Sequence, residues 1–157
     1  MDTATKERYV LYYLSLIDMD RVTRSLSLLS EVHDDYLREA LFRDAVICYA
    51  KPFSSNNALD GKARIRVKAS FVPQALTSTH KEIIKLRNQL FAHMDIDKQA
   101  PNISIETING EKYISFSVTG YERVFTDHLV VPLQTLAKTT HSFLMQELEK
   151  ISPHRLG

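Results

Sequence analysis

Arg87, Asn88 and His93 place a guanidinium, a neutral amide and an imidazole within one turn and a half of chain. A guanidinium grips a planar anion through paired hydrogen bonds, and an imidazole exchanges protons near neutral pH. On a helical wheel Ile83, Ile84, Leu86, Leu90, Phe91 and Met94 fall in a single arc with Arg87 near its middle. A buried guanidinium without a partner costs many kcal/mol, and Arg does not escape by losing its proton. Arg87 therefore needs a partner, a cleft or an interface. One candidate partner is Asp44, which sits near the centre of another apolar stripe formed by Leu37, Ala40, Leu41, Ile47 and Cys48. Asp44 and Arg87 either pair with each other inside the domain, or Asp44 orients an Arg that works on a ligand. His93 falls about 120° around the helix from Arg87, at one edge of the arc, and Asn88 falls at the other.

A second concentration of charge is Lys62, Arg64, Arg66 and Lys68, four cations at alternating positions. They form either an edge that binds an RNA backbone or a solvated basic strand. The sequence His93-x-Asp95-x-Asp97 has the residue types of a metal site, but alternation over a helix end converges ligands poorly, so no metal is expected. His80, His128 and His141 have no partner visible in the sequence, and the tyrosines of the first helix read as packing residues.

These residues must be positioned by a mainly helical chain. Apolar residues at helical spacing run from about Ala4 to Val32, as one long or two short helices, and again from about Asp34 to Lys51, where Asp34 and Asp35 cap the start and Pro52 stops the end. Pro52 to about Leu76 carries turn residues without a period and reads as a long loop. Thr77, Ser78 or Thr79 caps a third helix, with Glu82 closing a capping box, and that helix should reach about Met94. After Pro101 the period changes to two, through Ile103, Ile105, Tyr113, Ser115 and Ser117, with Asn109-Gly110 between the strands as a type I′ turn. A last amphipathic helix holds Leu129, Leu133, Leu136, Phe143, Leu144, Leu148 and Ile151, in which Pro132 is tolerable only in the first turn.

The 157 residues suit one domain, 44% apolar and 25% charged, as in an ordinary globular protein. A net charge of +1 leaves any nucleic-acid binding to a local patch. The single cysteine, Cys48, allows neither an internal disulfide nor a cysteine zinc cluster, which fits a reducing cytoplasm. The charged start, Asp2 to Arg8, lacks the apolar core of a signal peptide, and no run approaches the roughly eighteen apolar residues of a membrane span.

The segment Arg87-Asn88-Gln89-Leu90-Phe91-Ala92-His93 resembles the signature of HEPN domains: an arginine, a polar residue directly after it, and a histidine four to six intervening positions on. Arg123 to His128 has similar spacing, but Val124 follows the arginine and the segment lies between hairpin and helix. Tyr49-Ala50-Lys51-Pro52-Phe53-Ser54 also resembles a segment of abortive-infection-related bacterial HEPN proteins, and the resemblance is best over Asp34 to Phe53 and Thr77 to Asp97.

The resemblance implies a bundle of four to five helices, with the hairpin inserted before the last, that forms a homodimer. Arg87 and His93 of both copies would then line one cleft that cuts single-stranded RNA without metal or cofactor. In such a site imidazole moves the proton of a ribose 2′-hydroxyl, the guanidinium stabilises the crowded phosphorane, and Asn88 positions the phosphate or the Arg. Asp44, Lys51 and Tyr49 would support the site, and Lys62, Arg64, Arg66 and Lys68 would bind RNA. The implied role is a cytoplasmic toxin or phage-defence effector, with an antitoxin protein as partner; the alternative is a non-catalytic HEPN module that binds a nucleotide, RNA or a protein. Some HEPN toxins carry a tyrosine two residues after the histidine that an antitoxin modifies, and that position is Asp95 here.

Overall fold

The computed structural model describes residues 2–58, 64–88, 101–118 and 127–151, with side chains in the hairpin described for 104–115. Helix α1 (Thr3–Leu28) is one continuous helix, started by Asp2, whose carboxylate accepts the Thr5 N–H at 2.8 Å. Helix α2 (Asp35–Ala50) starts the same way, with Asp34 accepting the Leu37 N–H at 2.9 Å. It gives way at Pro52 to a single 3₁₀ turn (Lys51–Phe53), because a proline ring cannot follow a continuing α-turn. The long segment that follows is not the period-free loop its sequence suggests. Two-residue strands β1 (Asn56–Asn57) and β2 (Arg64–Ile65) pair antiparallel, and two further 3₁₀ turns (Ala69–Phe71 and Gln74–Leu76) lead into helix α3 (Thr77–Leu86).

This segment forms a strap tied to the body by non-local contacts. Val67 is buried and its N–H donates to the Pro52 carbonyl at 2.8 Å. Ile65 and Val67 turn inward while Arg64, Arg66 and Lys68 are exposed, which is the period-two alternation of extended chain. The start of α3 also differs from the sequence reading. Leu76 occupies the N-cap position without a side-chain cap, and the Thr77 hydroxyl donates backward to the Pro73 carbonyl. The preceding 3₁₀ turn supplies this start in place of a capping box with Glu82.

Strands β3 (Pro101–Ile108) and β4 (Glu111–Val118) form the expected hairpin, and Asn109 and Gly110 both have positive φ, as a type I′ turn requires. Its register pairs Ile105 with Ile114 and Ile103 with Phe116, so Tyr113, opposite Glu106, and Ser115, opposite Ser104, belong to the other face. Helix α4 (Asp127–Ile151) is the last element among the described residues. Pro132 is its sixth residue, one turn beyond the first turn that the sequence reading allowed, so α4 forgoes one backbone hydrogen bond there.

The described chain is thus a mainly helical bundle of four helices with a small hairpin before the last. Helix α1 packs along α2 and α4, and α3 touches α2 and α4. The core joins Met19, Val22 and Leu26 of α1 to Phe42, Val46 and Tyr49 of α2, Ile83 of α3, and Leu133, Leu136 and Leu144 of α4. No helix among the described residues is long and apolar enough to cross a membrane.

Candidate functional site: the Arg87 end of helix α3 and the basic strap

Arg87 directly follows α3, where the helix widens into a π turn over Arg87 and Asn88. The Arg87 N–H reaches both the Ile83 and Ile84 carbonyls. Such insertions recur at functional sites because they change where the next side chains point. The Arg87 side chain is half-buried, and one guanidinium nitrogen donates to the Asn88 Oδ1 at 3.0 Å. Among the described residues no carboxylate lies within ion-pair distance of it. His93 and Lys62 lie outside the described residues, as do Asp95, Asp97 and Arg123.

Asp44 does not meet Arg87. It faces α1 and takes a two-pronged contact from Arg21, with Nε at 3.0 Å and Nη2 at 2.7 Å, and it accepts the Ser25 hydroxyl at 2.8 Å. Of the two readings open for these charges, pairing inside the domain is therefore replaced by separate arrangements: Asp44 links α1 to α2, and Arg87 keeps a neutral neighbour. The sequence hid Arg21 because it belongs to another helix, 23 residues away.

Lys51 is likewise a link to α1, its ammonium donating to Asp18 at 2.8 Å, a contact that raises its pKa. Cys48 beside it is buried, and desolvation followed by the Asp44 charge pushes its thiol up to about 11, so it is held in the neutral form. Tyr49 contacts α3. Its hydroxyl shares a 2.8 Å hydrogen bond with the His80 Nδ1, and burial pushes its pKa upward. Phe53 packs edge-on against the same imidazole at 4.7 Å between centroids. The segment from Tyr49 to Phe53 thus clamps the first turn of α3, the helix whose far end delivers Arg87. His80, Ile84 and Arg87 share one ridge of that helix.

His128 and His141 acquire partners as well. His128 lies 3.9 Å from Glu82 and His141 lies 3.5 Å from Asp20. Arg64, Arg66 and Lys68 project from the strap, and Arg66 and Lys68 line a groove of about 390 Å³ with Phe53, His80 and Ile84. This brings Arg66 and Lys68 to the ridge that carries Arg87, one turn short of it. No group of three or more His, Cys, Asp or Glu among the described residues is arranged to hold a metal ion.

In comparison with known proteins, no family model, no curated protein and no solved structure matches the chain.

Proposed function

We propose that this chain is a metal-independent endoribonuclease of the HEPN type, acting in the cytoplasm as a toxin or phage-defence effector. Its site is composed of Arg87 and His93 from two copies of the chain. The observation that carries the reading is the state of Arg87: half-buried at a π turn, held by a neutral amide, and without a carboxylate partner among the described residues. A cation in that setting keeps donors for an anion that arrives from outside, and a phosphodiester is the anion whose geometry matches the guanidinium fork.

The chemistry follows from the residue types. An imidazole takes the proton of the 2′-hydroxyl, the 2′-oxygen bonds to phosphorus, and the bond from phosphorus to the 5′-oxygen breaks. The leaving oxygen takes a proton from a second imidazole, which is why two copies make a complete site. Arg87 stabilises the charge that gathers on the non-bridging oxygens, and the amide of Asn88 orients the guanidinium.

The test is direct. Pure protein with a chelator should cut single-stranded RNA and leave cyclic phosphate ends. His93→Ala and Arg87→Ala should each reduce the rate at least about a hundredfold while the helical content is retained. Dependence on Mg²⁺, or full activity in Arg87→Ala, would overturn the proposal. RNA that is bound by the folded protein and left uncut would turn the reading to the non-catalytic binding module.

A further inference from the structure

A second groove, of about 830 Å³, opens between α1, the strap and α4. Arg8 and Tyr12 enter it from α1, Arg64, Arg66 and Lys68 from the strap, and Phe143 from α4. The four cations are exposed, and among the described residues no carboxylate is within ion-pair distance of any of them. Arg66 and Lys68 also line the smaller groove beside His80, so the two depressions share one basic ridge.

Beneath that ridge the aromatic side chains form an unbroken series. Tyr12 meets Phe143 edge-on at 6.5 Å, Phe143 stacks on Phe71 at 4.0 Å, Phe71 stacks on Phe53 at 6.3 Å, and Phe53 meets His80. Tyr12 and Phe143 are both half-buried and line the groove, so each retains surface toward it.

We propose that this groove binds single-stranded RNA, with phosphates along Arg64, Arg66 and Lys68 and a base against Tyr12 and Phe143. The proposal deepens the nuclease reading and rests on it for the direction of the strand, which continues over the shared ridge to the α3 side and Arg87. Two features select this ligand. Three of the four cations sit on the strap, while the helical wall carries Glu7 and Glu147 beside Arg8, a mixed wall that opposes an acidic peptide. A nucleotide strand suits both walls, with phosphate toward the strap cations and a base against the aromatic side chains of the helical wall. Duplex RNA keeps its base faces stacked away and gains nothing from the aromatic wall.

The full chain is titrated against a fluorescent single-stranded oligoribonucleotide methylated at every 2′-oxygen, which lacks the nucleophile and is not cut. Arg66→Gln combined with Lys68→Gln should weaken binding about tenfold and flatten its salt dependence. Tyr12→Ala should weaken it about fivefold or more, and Tyr12→Phe should restore it. Circular dichroism confirms that each variant folds. Parent-like affinity in the cation variant, or equal competition by duplex RNA or polyglutamate, would overturn the groove assignment. The two readings fail separately: an absence of cutting on unmodified RNA removes the nuclease and leaves this binding measurable, whereas unchanged binding removes the groove and leaves cutting measurable.

Discussion

His80 was a residue without an assignment in the sequence and becomes the hinge pin between α2 and α3. Burial disfavours its charged form, and the nearby Lys81 adds to this, so its pKa lies below the ordinary value of 6.5. A neutral imidazole can accept the Tyr49 O–H, whereas an imidazolium offers only donors to that hydroxyl. The unfolded chain takes up the His80 proton at higher pH than the folded chain. Folding stability is therefore lost as pH falls below about 6.5 and levels off once the folded-state pKa is passed. Urea denaturation at about pH 7.5 and about pH 5.5 should show a larger loss in the parent than in His80→Gln, whose amide oxygen still accepts from Tyr49. An equal loss in both proteins would assign the acid sensitivity to other groups.

At the scale of elements, the parts legible in the sequence are those whose order is local. The capping aspartate Asp34, the stop at Pro52 and the Asn109-Gly110 turn each act within four residues of themselves. The strap was opaque for the opposite reason. Its order comes from the Val67 bond to Pro52 and from Phe71 lying on Phe143, contacts that close long stretches of chain and leave no period. The start of α3 and the place of Pro132 were misread because tertiary packing outweighs local capping and proline rules. That Asp44 and Arg87 take separate partners was not legible, since a wheel gives faces and not partners. The strap's dependence on Phe53 can be measured. Phe53 contacts Tyr49, Phe71 and His80, so Phe53→Ala should cost about 2–3 kcal/mol in urea denaturation and speed amide exchange in the first turns of α3. A change below about 0.5 kcal/mol would mean that the strap is held elsewhere.

For the whole molecule, the helices and the hairpin make unequal contributions. Leu133 is fully buried among helices, while Ile105 and Ile114 are 64% and 70% exposed and face each other across the hairpin. Leu133→Ala should cost about 3 kcal/mol, and Ile114→Thr should stay within about 0.5 kcal/mol, by denaturant titration. The exposed apolar residues Val10, Leu14 and Ile17 also line up along α1 at spacings of four and three, a stripe that one copy leaves uncovered. A composite site makes a firm demand of this molecule. One chain of 18.0 kDa supplies a single Arg87 and a single His93 from the proposed motif, and proton removal and proton donation on opposite sides of a phosphodiester call for two imidazoles. Light scattering on the purified chain should therefore give twice the chain mass, and cutting should fall with the square of concentration once the dimer is diluted apart. A monomer that still cuts RNA at a rate proportional to its concentration would place the second proton carrier within one chain.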